Sequence, residues 1–190
     1  MKKIIVTLAV LLLLVASLAV MTACGGTTET TAATTTTEAP VTTEAPLPEG
    51  YTLYDNGDIS FAYPEGFVKQ DGSTVILADM TTGNNITVVY EAKTDMYETL
   101  DNNGYKTMFK PIFEAMDMTV TNYAVEQIAK NATGISLTKI THTASTQGKT
   151  MEQTMLITTV GNKTYTVTVT EVVNNDAFVN NVLNSLGLSK

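Results

Sequence analysis

The 190-residue chain has no arginine, one cysteine and one histidine. Each absence removes a class of chemistry. A lone Cys24 cannot form an intramolecular disulfide. With His142 as the sole imidazole and no usable thiol, a zinc site would need Asp and Glu ligands, an unusual set. Missing arginine removes the usual bidentate clamp for carboxylate and phosphate. The abundant Ser and Thr have no base-activating partner for nucleophilic catalysis. The expectation is a non-enzyme without metal or cofactor. Positive charge is scarce as well. Lysines number 11 against 19 Asp and Glu, and without residues 1–23 nine lysines face the same 19, a net of −10. Nucleic-acid binding needs a basic footprint, so that class is excluded.

What the chain does have begins at its N-terminus. "MKK" is a basic start, residues 4–20 are an almost unbroken apolar run, and "MTAC" follows. This series describes a secretory signal over residues 1–23. Residues 21–24 resemble a bacterial lipobox, in which the cysteine is acylated and becomes the first residue; Met21 departs from the usual Leu. Lipidation is therefore expected at Cys24, anchoring the chain outside the cell membrane. An acidic domain is repelled by anionic lipid, so attachment rests on the acyl chains, several of which act as a stable anchor. Residues 24–49 complete a Thr-, Glu-, Ala- and Pro-rich tether with repeated "TTEAP". Such a composition buries too little apolar surface to order itself. It spans roughly 80 Å as polyproline II and roughly 28 Å as a flexible coil.

Residues 50–190 make one domain. In "YTLYDNGDISFAYP", Asn56-Gly57 predicts a two-residue hairpin turn pairing Tyr54 with Ile59 and Thr52 with Phe61, all on one face. Pro64 ends the strand, and residues 63–66 suit a type I turn, so "FAYPEGF" reads as a corner whose aromatics pack inward. "STVILAD" and "NITVVYEAK" are β-branched strands separated by "TTGN". Over 94–116 the apolar period changes to three and four, predicting a helix capped by Asp95 and Glu98. It is broken near 102–104 and kinked or restarted at Pro111. Four strands follow. Gly161-Asn162 predicts a hairpin with Leu156 opposite Val167 and Ile157 opposite Thr166. One face then collects Leu156, Tyr165, Val167 and Val169, the other Met151, Met155 and Ile157 among threonines, and both are covered. Asn175 or Asp176 caps a last helix that Gly187 stops. Hairpins without βαβ alternation predict an α+β fold: one twisted antiparallel sheet flanked by helices.

With this layout, "ISFAYPEGF", "ITVVYEAK", "AVEQIAKNATGISLTKITHTA", "GKTMEQTMLITTVGNKTYTVTVT" and "FVNNVLNSL" resemble the PsbP-like family, which takes in DcrB-like small lipoproteins. The resemblance covers about residues 51–188, with Phe67 where the family often has Trp. It implies an α/β/α sandwich and an assembly or interaction role, and it carries no site residue across.

The remaining candidates read as structure. His142 in "KITHTAS" is expected on a half-exposed strand face. "DNGD" at 55–58 lacks the spacing and terminal Glu of a calcium loop, and its two carboxylates would oppose each other. The sequons at Asn85, Asn131 and Asn162 follow from threonine content, and the methionines suit a core. Two functions survive: a monomeric module that binds an envelope protein or wall polymer, or a small-ligand binder with a pocket between the sheet and 94–116, lined by Tyr105, Phe109 and Phe113.

Overall fold

The computed structural model describes residues 47–70, 72 and 74–190. The signal segment, Cys24 and nearly all of the tether lie outside the described residues. Strands dominate. β1 (Tyr51–Asp55), β2 (Ile59–Pro64) and the terminal β10 (Gly187–Leu188) form a three-stranded sheet in the order β1-β2-β10. β3 (Val68–Gln70), β4 (Val75–Ala78), β5 (Asn85–Ala92), β6 (Thr119–Ile128), β7 (Leu137–Thr146), β8 (Lys149–Val160) and β9 (Lys163–Glu171) form a seven-stranded sheet. Its order is β3-β4-β5-β9-β8-β7-β6. Every pairing is antiparallel. The helices are short: α1 (Asn102–Met108), α2 (Lys110–Glu114) and α3 (Asp176–Ser185).

The expected single sheet is thus two sheets in a strongly β-rich fold. The cause lies at the corner. Pro64 has no donor for a ladder, and Gly66 adopts φ 85°, a conformation other residues rarely take. The chain therefore leaves the first hairpin and starts a new sheet at Val68. Gly187 and Leu188 then return to pair with Ser60 and Ile59.

Alternation along the strands divides the core in two. On one face of the large sheet, Leu77, Ile86, Val88, Leu156, Tyr165, Val167 and Val169 pack against Tyr54, Ile59 and Phe61 of the small sheet and Phe178, Val182 and Leu186 of α3. On the other, Ile140, Ala144, Met151, Met155 and Ile157 pack against Tyr97, Leu100, Tyr105, Phe109 and Phe113. The hairpin at Gly161 has the expected register, Leu156 to Val167 and Ile157 to Thr166.

The first hairpin differs. Tyr54 opposes Phe61 and Asp55 opposes Ser60, two residues out from the two-residue turn. The Asn56 side chain causes this: its Oδ1 accepts from the Asp58 and Ile59 amides at 3.1 and 3.0 Å, widening the loop. Because the offset is even, the same side chains still share a face. Asp55 and Asp58 consequently do not oppose each other.

The predicted long helix is replaced by turns over 94–101 and then by α1 and α2. Its cap is Asp101, whose carboxylate accepts from the Gly104 amide at 2.7 Å, rather than Asp95 with Glu98. Residues 102–104 begin α1 instead of breaking it, and Pro111 opens α2, where a missing N–H costs nothing. Asn175 caps α3 through the Phe178 amide at 3.3 Å.

Candidate functional site

His142 is not half-exposed. Its side chain is buried at 2% exposure beneath α1 and α2, with the Phe113 ring edge-on at 5.0 Å and the Tyr105 ring at 5.9 Å. The reason is register. His142 opposes Gln153, Gln153 opposes Thr170, and Thr170 opposes Asn85, so one polar row crosses four strands on the helix-covered face. Nε2 of His142 donates to Gln153 Oε1 at 2.9 Å, and Gln153 Nε2 donates to Thr170 Oγ1 at 3.1 Å. Among the described residues, His142 Nδ1, Asn85 Oδ1 and the Tyr105 hydroxyl have no hydrogen-bond partner. Burial lowers the imidazole to about 4, against which the Gln153 bond acts only weakly, so the ring is neutral at pH 7. This buried neutral imidazole packs among Tyr105, Phe113 and Gln153.

Tyr105, Phe109 and Phe113 do not line the expected pocket between sheet and 94–116; their rings are buried and packed together. Tyr105 stacks on Phe109 at 5.2 Å and on Tyr123 at 5.3 Å, and Phe113 closes over His142. A cleft of about 380 Å³ lies beside them, walled by Thr94, Tyr97, Glu98, Gln127, Thr138 and Thr158. Several of its polar groups are engaged within the chain. Gln127 Nε2 donates to the Tyr97 and Leu100 carbonyls at 3.0 and 2.9 Å, Thr138 to Tyr97 at 2.8 Å, and Thr158 to Ser136 at 2.9 Å.

Asp58 enters an ion pair rather than a calcium loop. Lys163 Nζ approaches it at 2.6 Å, and the Tyr165 hydroxyl donates to the same oxygen. The Lys163 bond, then Tyr165, holds the carboxyl below its usual range. This pair fastens the first hairpin to β9. Among the described residues no three His, Cys, Asp or Glu side chains are grouped to hold a metal ion.

The larger cleft, about 500 Å³, opens at the "FAYPEGF" corner. Three segments wall it: Pro64 to Phe67, the loop from Asp79 to Asn84, and Val173 to Asn175, with Phe178 at its base. The corner therefore has two sides. Inward, Phe61 is fully buried and stacks on Tyr54 at 4.8 Å, while Phe67 meets Phe178 edge-on at 5.4 Å. Outward, its turn forms one wall of the cleft.

Two of the walls are pinned by side chains, and the turn at Glu65 is tied by its backbone amide to the Gly50 carbonyl at 2.8 Å. Asn84 Oδ1 accepts from the Val172 and Val173 amides at 2.9 and 3.0 Å, and its Nδ2 donates to the Val173 carbonyl at 2.9 Å. Asp79 accepts from Thr82 Oγ1 at 2.6 Å and from the Thr81 amide at 2.8 Å, which keeps its carboxyl below the ordinary range. Glu171 accepts from the Asn175 amide at 2.7 Å. One exposed aliphatic side chain, Val173, lies in the wall. Sequence reasoning singled out the corner but missed Asp79, Asn84 and Val173, having read "TTGN" only as a separator. The Asp-to-Thr spacing there, a recurrent side-chain-to-backbone turn, was the available signal.

No protein-family model matches the chain. No curated protein matches its sequence. A solved structure from Bacteroides thetaiotaomicron is 12% identical with a TM-score of 0.46; the match covers 70% of this chain and 45% of that one. The chain thus spans less than half of that neighbour. LpqN of Mycobacterium tuberculosis, involved in cell envelope biogenesis, is 12% identical with a TM-score of 0.43, covering 74% of this chain and 91% of LpqN. The PsbP-like resemblance rests on residue pattern alone. Among the described residues, no helix is long and apolar enough to cross a membrane.

Proposed function

We propose that the chain is a non-catalytic lipoprotein, anchored through acylated Cys24 to the outer face of a bacterial cell membrane, that binds or assembles with an envelope component at the corner cleft. The carrying observation is the cleft's construction. Its three walls are far apart in sequence, and two of them, 79–84 and 173–175, are held by bonds from Asn84, Asp79 and Glu171 to backbone groups. A pre-shaped surface loses little conformational freedom on binding, so more of the contact energy appears as affinity. The exposed Val173 side chain in its wall suits partner contact better than solvent contact. The signal series, the Thr-rich tether and the PsbP-like pattern support an extracytoplasmic interaction role.

The test uses the full chain expressed in a bacterial envelope, with a photo-crosslinking amino acid in place of Val173 or, as control, Glu98 in the smaller cleft. Adducts from position 173 and none from position 98 are expected, together with an acylated Cys24 in the mature N-terminal peptide by mass spectrometry. Equal labelling at both positions would remove the corner cleft as the site, and an unmodified Cys24 would remove the anchor.

A further inference from the structure

We propose that the corner cleft takes a basic peptide segment, a lysine or arginine beside an apolar side chain, presented by a partner protein. This rests on the reading of the cleft as the binding site. Its ionisable lining consists of two carboxylates, Glu65 and Asp79, with no lysine among the wall residues. Asp79 uses one bond on each carboxylate oxygen to hold its own loop. A carboxylate offers about four acceptor positions, so half remain for an incoming cation. The Thr82 and Thr81 bonds also keep it ionised. Glu65 is exposed on the turn, and among the described residues its side chain forms no ion pair. An anionic polymer or phosphate headgroup would meet two negative charges and no donor cation, so charge selects against it.

The apolar half of the recognition comes from two wall residues, Phe67 and Val173, the latter 53% exposed. A volume of about 500 Å³ is of the size that holds a few side chains. Cation and aliphatic group must therefore be neighbours in the occupant, because the carboxylates and these apolar side chains are neighbours here.

The test is a titration of the ¹⁵N-labelled full chain in detergent micelles with three probes: the capped peptide GKLKG, its charge-reversed counterpart GELEG, and a neutral N-acetylglucosamine tetramer. GKLKG should shift the amides of Gly66, Phe67, Thr82 and Val173, with weaker binding at higher salt. Glu65→Lys, whose melting curve verifies its fold, should weaken that binding by about threefold or more. GELEG or the saccharide binding as well as GKLKG, or Glu65→Lys leaving GKLKG unaffected, would overturn the basic-peptide assignment while leaving the cleft as a site. Silence at the cleft from all three probes would overturn the assignment and the site together.

Discussion

The two faces of the large sheet are covered in different ways. Beneath the small sheet and α3, the buried core is apolar, with Ile59, Phe61, Leu77, Ile86, Val167, Val169, Phe178, Val182 and Leu186, and the Asp58–Lys163 pair lies at its edge. Beneath α1 and α2, aromatics and methionines share the space with His142, Gln153 and Thr170, and several polar atoms go unpaired. Burying apolar area is non-directional and tolerates small errors of placement. Burying polar groups is costly wherever a partner is missing. The first face should therefore carry most of the stability, and the second most of its dependence on conditions.

The hardest blow to the apolar face is Phe61→Ala. The ring is fully buried against Tyr54, so the loss should be roughly 3–5 kcal/mol in urea denaturation. A loss under about 1 kcal/mol would mean that the small sheet is only loosely attached. On the polar face, acid should do what mutation does on the other. The His142 imidazole titrates at about 4 in the folded chain against an ordinary 6.5, so the unfolded state takes up its proton first as pH falls. Its contribution is complete above about pH 6.5 and is lost progressively towards pH 4, by roughly 3 kcal/mol. Subtracting the pH profile of His142→Gln from that of the parent chain cancels the carboxylates and isolates the imidazole; a flat difference would show that the ring is hydrated.

A smaller effect separates the two kinds of covering further. Asn131 clamps the end of α3: Nδ2 donates to the Leu183 and Leu186 carbonyls at 2.9 and 2.7 Å, while Oδ1 accepts from the Thr133 and Ile135 amides at 3.1 and 3.2 Å. Asn131→Ala should cost about 1–3 kcal/mol, with faster hydrogen exchange confined to α3 and β10. Exchange quickening instead under α1 would show that the two faces are mechanically one. Least of all, Glu65→Ala should change stability by under about 0.5 kcal/mol, because the residue is exposed on a turn. A larger loss in thermal melting would place Glu65 in the fold rather than at the cleft.

How much of this could be read from residues depended on the range of the interactions. The Gly161 hairpin was legible to the residue because its turn is fixed by two neighbours. The Asn56 hairpin was legible in its faces but not its register, since the deciding bonds come from a side chain that could also have stayed in solvent. His142 was misplaced because threonines occupy both faces of β7, so the alternation there gives no clue to which side is covered. The cleft was least legible. Its walls come from 64–67, 79–84 and 173–175, and Asn84 makes its contacts about ninety positions down the chain.

One backbone bond at the corner has a mechanical consequence. The Glu65 amide donates to the Gly50 carbonyl at 2.8 Å, and Tyr51 opposes Pro64. The chain therefore enters the fold immediately beside the cleft wall. Tension between the proposed membrane anchor and a molecule gripped in the cleft would run through these few residues and bypass both cores. Because β1 and β2 are antiparallel and the pull acts at their open end, the ladder would yield like a zip, one pair at a time, rather than in shear. The domain could then lengthen under load by releasing β1 while the seven-stranded sheet stayed whole.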